Sequence, residues 1–149
     1  MGSSNAVVMA VDTDTNKRAH TDGVVKKRKP LRLSTSRADI YVTRDHRKFN
    51  SYMRRARKLL VERNYPSVTI HGLGAAIQTA IKLATAVKAS LSDQIIMDTS
   101  THTVTLYDDV VPQDESTDIT TQTRQNSAIQ IKMSLPSAVR SQIFAKNPR

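Results

Sequence analysis

The sequence predicts a two-layer α/β sandwich in which strands and helices follow the order β-α-β-α-β-β. Two observations predict this fold class. Short runs of β-branched residues alternate with two segments whose apolar residues recur at helical spacing. The chain of 149 residues is also long enough for one domain with a modest core. The chain has no cysteine, which excludes a disulfide framework, a zinc ribbon or a thiol nucleophile.

Composition divides the chain into three parts. Residues 1–37 are polar and have no apolar face to bury, so we expect a disordered basic arm. Residues 38–135 contain the predicted strands and helices and form the folded domain. Residues 136–149 are predicted to be a C-terminal tail or a short helix, with Pro136 near its first turn.

The first half of the domain is predicted to be strand, helix, strand. β-branched and aromatic residues at 39–43 indicate a short strand, and residues 67–71 indicate a second. Between them, residues 47–62 have one apolar stripe at helical spacing, which ends before Pro66. The stripe consists of Phe49, Tyr52, Met53, Ala56, Leu59 and Leu60.

Residues 74–90 predict a second helix that is apolar around most of its circumference. A helix of this kind is buried on more than one side. One side is expected to pack on the sheet, and another is a candidate interface with a partner subunit. The residues assigned to that interface are Ala80, Leu83, Ala84 and Val87.

The remainder of the domain is predicted to be β-structure. Residues 94–108 form either one long bent strand or a hairpin, and residues 127–133 alternate cleanly as the last strand. Between them, residues 108–126 are predicted to be a loop, acidic at first and then rich in Thr and Gln. Its acids lack the Gly and terminal Glu of a calcium loop, so we expect a solvated loop that repels nucleic acid or pairs with a basic partner.

The net charge of +10 favours a polyanionic partner. Residues 44–63 carry eight basic and two acidic groups. An ordinary exposed face mixes the two signs, so we interpret this basic cluster as a surface that contacts phosphates. The arm adds a second basic run, which fits a nuclear import signal or a segment that binds phosphates. That run is Lys26, Lys27, Arg28 and Lys29.

No stretch approaches the roughly 20 apolar residues that cross a bilayer, so no membrane partner is expected.

Two further motifs have alternative interpretations. The glycine turn at residues 71–74 either lets backbone N–H groups approach a phosphate or is simply a tight turn between strand and helix. The chain has four histidines: His20, His46, His71 and His102. Their spacing is not that of metal ligands, and we expect neither a metal nor a cofactor. A small nuclease that uses His46, His71 and His102 remains an alternative of a different class.

Four segments together resemble a known family. They are Asp39-Ile40-Tyr41-Val42, Ile70-His71-Gly72-Leu73-Gly74-Ala75-Ala76-Ile77, residues 101–112 and residues 126–131. In this order and spacing they resemble the smaller Alba-like protein subunits of eukaryotic ribonuclease P and ribonuclease MRP, over residues 37–135. The resemblance implies an Alba-like fold and a non-catalytic, RNA-binding subunit, because the RNA and its metal ions perform the cleavage in that family. It also implies a heterodimer with a second Alba-like subunit, bound to the P3 domain of the catalytic RNA beside other protein subunits.

The resemblance also implies where and how the protein acts. Family members take part in transfer-RNA 5′-leader removal and ribosomal-RNA precursor processing, in the nucleus and nucleolus. The positions that match the family's RNA contacts are Arg44, Arg47, Lys48, His71, Gly72, Arg124 and Asn126. The alternative is an Alba-type chromatin protein or general nucleic-acid-binding homodimer, which shares the fold and charge and binds duplexes with little preference.

Overall fold

The computed structural model describes residues 23–30, 36–114 and 118–146. The strands in these ranges are β1 (Gly23–Lys27), β2 (Asp39–Tyr41), β3 (Ser67–Leu73), β4 (Ile96–Pro112) and β5 (Thr120–Ser134). The α-helices are α1 (Phe49–Arg57), α2 (Ile77–Ser90) and α3 (Ser137–Lys146). From β2 to β5 the order is the predicted β-α-β-α-β-β, so the fold class is confirmed. The predicted C-terminal helix corresponds to α3.

The strands form one sheet in the order β1-β4-β5-β3-β2. β2 and β3 are parallel because α1 crosses over between them, whereas β5 is antiparallel to both β3 and β4. Burial alternates along β3, where Val68, Ile70 and Gly72 point to the helices. His71 therefore lies on the opposite face of the sheet.

The core lies between one face of the sheet and the helices α1 and α2. Ile70, Leu83 and Met133 are among its fully buried members. The four residues of α2 that were assigned to a partner interface are at most 2% exposed and belong to this core: Ala80, Leu83, Ala84 and Val87. They cannot contact a partner, because they face the sheet of their own chain. The exposed large apolar side chain of this helix is Ile81, at 46%.

Part of the N-terminal arm is ordered, whereas the sequence predicts disorder throughout residues 1–37. β1 pairs antiparallel with the end of β4. Its register places Val24 opposite Val111, Val25 opposite Val110, Lys26 opposite Asp109 and Lys27 opposite Asp108. Cross-strand pairs of apolar residues and of opposite charges stabilise such an edge, which explains the strand. Residues 1–22 and 31–35 lie outside the described ranges.

The segment that follows α2 is more regular than the sequence predicts. β4 is one continuous strand, which decides between the bent strand and the hairpin. The loop expected at residues 108–126 is wrong at both ends, because β4 runs to Pro112 and β5 begins at Thr120. Polar β-branched threonines suit a half-exposed strand once a neighbouring strand pairs with them. The two strands are paired from Ile96–Ser134 to Val110–Thr120.

Candidate nucleic-acid interface

The basic cluster of residues 44–63 lies on the protein surface. α1 is preceded by a 3₁₀ turn at His46–Lys48 and continues as a π-helical turn at Lys58–Glu62. Ala56 is buried and Tyr52 packs against the core, so the basic side chains of this helix face solvent. The exposed cations are Arg44, Arg47, Lys48, Arg54, Arg55, Arg57, Lys58 and Arg63. The cluster is exposed, and its contact with phosphates stays a prediction.

Asp45 organises the beginning of this surface. Its Oδ1 accepts hydrogen bonds from the Arg47 side chain at 3.2 Å and from the Arg47 backbone N–H at 3.1 Å. These two bonds, the side-chain bond first, hold the pKa of Asp45 below its ordinary value. The carboxylate caps the 3₁₀ turn and keeps the predicted RNA contacts Arg47 and Lys48 on one exposed turn.

A groove of about 440 Å³ separates the loop after β2 from the beginning of α2. Arg44 and His46 line it from the loop, and Gly74, Gln78 and Lys82 line it from the helix side. We call this the basic groove. It joins side-chain cations from two elements to backbone N–H groups at a helix start, an arrangement suited to phosphate groups. Sequence reasoning missed Lys82, because no spacing in the chain connects it to Arg44.

Two glycines and Asn126 shape the beginning of α2. Gly72 is buried, and a β-carbon there would lie 2.8 Å from Ala80 Cβ. Gly74 has a φ of +52°, a left-handed conformation that favours glycine. A β-carbon on Gly74 would lie 2.7 Å from Asn126 Nδ2, so Asn126 packs over the turn that begins the helix. The glycine turn is thus required by packing, whatever else it contacts.

His71 and Tyr41 form a stacked pair on the sheet face opposite the helices. They are neighbours in the register of β2 and β3, with ring centroids 4.4 Å apart and planes at 10°. His71 Nε2 lies 3.4 Å from Asp39 Oδ1, a contact that is an ion pair when the imidazole is protonated. The side chains of His71 and Asp39 are only 11% and 9% exposed. The ring of His71 is therefore held in a fixed position on the strand where the sequence places it.

A second groove, of about 360 Å³, lies along this sheet face. His71 and His102 both line it, and Lys29 of the arm lies at the same groove. We call it the sheet-face groove. His46 lines the basic groove instead, so the three histidines of the nuclease hypothesis do not line one groove, and His20 lies outside the described ranges. Within those ranges, no three His, Asp or Glu side chains are grouped so as to hold a metal ion.

Arg124 is engaged in an internal ion pair. Its Nε donates to Asp108 Oδ2 at 2.6 Å, and Asp108 is only 1% exposed. The second oxygen, Asp108 Oδ1, is buried and has no hydrogen-bond partner among the described residues. Arg124 therefore neutralises a buried carboxylate in the β4–β5 pair, in addition to any contact with RNA. The expectation of a solvated Asp108 is wrong.

The basic run of the arm contacts the acidic end of β4. Arg28 Nε donates to Asp109 Oδ2 at 2.9 Å, and Arg28 Nη2 contacts Asp109 Oδ1. The hydrogen bond to Arg28 holds the pKa of Asp109 below its ordinary value and raises the pKa of Arg28. Lys26, Lys27 and Lys29 are exposed beside this pair. The basic partner of Asp109 is thus Arg28 in the arm of the same chain.

No helix within the described ranges combines the length and the apolar character needed to cross a bilayer.

The predicted RNA contacts are distributed over several surfaces. Arg44, Arg47 and Lys48 lie at or beside the basic groove, whereas His71 and Gly72 line the sheet-face groove.

Comparison with known proteins gives consistent matches. A family profile described as the Rpp20 subunit of nuclear RNase MRP and P matches residues 35–132. The chain is 34% identical over 114 residues to "Ribonuclease P protein subunit p20" of Mus musculus and 33% identical to that of Homo sapiens. Each of these alignments covers 73% of this chain and 81% of the relative. Among solved structures, Alba from Thermoplasma volcanium matches with a TM-score of 0.43 and 18% identity, over 64% of this chain and 98% of that chain.

Proposed function

The chain belongs to the family of the Rpp20 subunit of nuclear RNase MRP and P, and from this premise we propose that it is a non-catalytic, RNA-binding subunit of those complexes. The observation that carries the proposal is the exposed basic cluster and the basic groove beside it. In the basic groove, Arg44 from the loop after β2 and Lys82 from α2 lie near the beginning of α2.

The basic groove is the expected site of phosphate binding. Arg44 and Lys82 reach it from opposite sides, and Arg47 and Lys48 extend the positive surface beyond it. A guanidinium can donate two parallel hydrogen bonds to one phosphate, whereas an ammonium acts as a point charge. Each phosphate that is neutralised releases counterions, so affinity falls as salt rises.

We further propose a second Alba-like subunit as the protein partner and the P3 domain of the catalytic RNA as the ligand. The partner surface must use exposed side chains, since the apolar face of α2 is internal. Ile81 on α2 and Met97 on β4 are exposed apolar candidates. Met97 pairs with Met133 of the core in the register, so it lies on the helix side of the sheet, as Ile81 does.

Within these complexes the subunit would support transfer-RNA 5′-leader removal and ribosomal-RNA precursor processing, in the nucleus and nucleolus. The exposed lysines of the arm suit either nuclear import or RNA contact. Cleavage is assigned to the RNA.

The proposal is tested by purifying the tagged chain from cell extract with and without ribonuclease treatment. We expect a second Alba-like protein in both samples, and the ribonuclease P and MRP RNAs in the untreated sample. The triple variant Arg44→Glu, Arg47→Glu, Lys48→Glu should lose the RNAs and keep the protein partner. Reversing three charges outside both the basic cluster and the basic groove, at Lys88, Lys132 and Lys146, is the matched control.

Two outcomes would replace this proposal. Recovery of the chain only with itself, together with bulk DNA or mixed RNA, would favour the general nucleic-acid-binding homodimer. Cleavage of precursor transfer RNA by the purified chain, lost in His71→Ala, would show that the subunit is itself a nuclease.

A further inference from the structure

The sheet-face groove is a concave surface that phosphate binding leaves unused. Its hollow follows from the register of three strands. Ala128 of β5 lies between Leu73 of β3 and His102 of β4, so a small side chain is flanked by two larger ones. Two residues along the strands, on the same face of the sheet, lie the paired rings of Tyr41 and His71. The floor is thus apolar and the side walls carry flat rings.

The ring of His71 is held in place before any ligand arrives. Tyr41 stacks on it, and Asp39 lies within hydrogen-bond distance of its Nε2. Asp39 Oδ2 is buried and has no hydrogen-bond partner among the described residues, so the carboxylate is committed to His71. A ring fixed in this way loses little conformational freedom when a planar ligand packs beside it.

The chemistry of the lining favours an anionic ligand with a planar apolar part. Lys29 and His102 bring donors to the groove, and none of the described side chains that line it is acidic. Its volume of about 360 Å³ lies in the range of small-molecule sites. A nucleotide combines a flat ring, hydrogen-bonding edges and a negative phosphate.

We propose that the sheet-face groove binds an unpaired nucleobase, packed beside the Tyr41–His71 pair, with its phosphate directed to Lys29. This inference rests on the proposed RNA-binding function and adds to it a site for one base. The basic groove then holds the sugar–phosphate backbone of RNA, and the sheet-face groove requires a base that is not paired. A fully paired duplex would occupy only the first site.

The test compares two probes that share a backbone: hexaadenylate RNA and an abasic hexamer of the same ribose phosphate. Binding to the full-length chain is measured by fluorescence anisotropy, and the imidazole signals of His71 and His102 are followed by NMR. We expect both signals to shift with hexaadenylate and not with the abasic hexamer. Tyr41→Leu should weaken binding of hexaadenylate about tenfold and leave binding of the abasic hexamer as it is.

Two further variants distinguish loss of the base site from loss of folding. Tyr41→Phe retains the ring and should recover the affinity for hexaadenylate. Ala128→Val places a larger side chain in the hollow of the groove. It should weaken the binding of hexaadenylate as Tyr41→Leu does. The thermal midpoint of each variant is measured beside its affinity.

The outcomes separate this inference from the proposed function. If both hexamers bind with equal affinity, lose it equally in Arg47→Ala and are insensitive to Tyr41→Leu, the base site is wrong and phosphate binding stands. If neither hexamer binds, the base site is wrong, and the proposed function is decided separately by the purification from cell extract. If Tyr41→Leu and Ala128→Val lose the base-dependent affinity and Tyr41→Phe keeps it, the groove is a base site.

Discussion

Arg28 and Asp109 form a two-point ion pair that fastens the basic arm to the end of β4. Arg28 Nε donates to one carboxylate oxygen of Asp109 at 2.9 Å, and Nη2 contacts the other. The pair joins residues that are 81 positions apart in the chain. Since RNA phosphates attract the same guanidinium, they would compete with Asp109 for Arg28.

Acidification should weaken the attachment of β1 to β4. The folded-state pKa of Asp109 lies below its ordinary value of 3.8, so the pair contributes its full stability above that value and loses it as the pH falls through the lower, folded-state pKa. The measurement is amide hydrogen exchange of residues 24–27 against pH, corrected for intrinsic rates. Asp109→Asn should show faster exchange than the parent already at neutral pH, whereas Asp98→Asn, at an exposed position of the same strand, should exchange like the parent. Equal protection of residues 24–27 in Asp109→Asn and in the parent would show that the Arg28–Asp109 ion pair does not hold β1 to β4.

Arg124→Ala should destabilise the fold by about 3 kcal/mol, because it leaves the buried Asp108 carboxylate without its cation. Urea unfolding of the variant gives the free energy of unfolding directly. The double variant Asp108→Ala, Arg124→Ala removes the charge as well and should be more stable than Arg124→Ala alone. A parent-like stability for Arg124→Ala would mean that the pair is unimportant. RNA affinities of Arg124 variants must therefore be compared at temperatures where each variant is folded.

Gly72→Ala should destabilise the protein by about 1–3 kcal/mol. The new β-carbon would lie 2.8 Å from Ala80 Cβ and 3.0 Å from the Ala76 carbonyl oxygen, and both belong to elements packed in the core. The control is Ala75→Ser, at an exposed position of the adjoining turn, with an expected effect within about 0.5 kcal/mol. Similar unfolding curves for the two variants would show that the sheet and α2 can separate without cost at this point.

Leu83 and Ile81 lie on the same helix and should respond differently to an added charge. Leu83 is fully buried, so Leu83→Asp should unfold the domain, as judged by circular dichroism. Ile81 is 46% exposed, so Ile81→Asp should retain the parent spectrum and reduce recovery of the protein partner. A folded Leu83→Asp variant would contradict the placement of α2. Undiminished recovery with Ile81→Asp would remove this residue from the partner surface.

The sequence predicted those elements whose pattern is local. The apolar stripe of α1, with Tyr52 and Ala56 on its inner side, and the alternation of β5 from Ala128 to Met133 both need only neighbouring residues to be recognised. The resemblance to the family, based on short motifs, is confirmed by the match over residues 35–132. β1 was missed because two valines beside a basic run have no strand pattern of their own. What stabilises them is a valine pair and two acids about 85 residues away.

Functional residues were likewise predicted only where a local sequence pattern marks them. Arg44 was found because it begins a basic cluster, whereas Lys82 was hidden in the polar stripe of a helix until the fold placed it across the groove. The apolar face of α2 was correctly predicted to be buried. Periodicity shows that a side of a helix is buried, but it does not show whether the sheet of the same chain or a partner subunit covers that side. Ala80 and Leu83 were accordingly assigned to the wrong surface.

Lys82→Glu should weaken RNA binding as strongly as Arg44→Glu does, since the two side chains line the same groove. The measurement is fluorescence anisotropy with a structured RNA at a series of salt concentrations. Each lost phosphate contact should lower the slope of log affinity against log salt by about 0.7 to 0.9. Lys146→Glu, on α3, changes the net charge equally at an exposed position outside the groove and should alter the slope much less. If Lys82→Glu and Lys146→Glu weaken binding to the same extent, net charge alone explains the affinity, and the basic groove holds no phosphate.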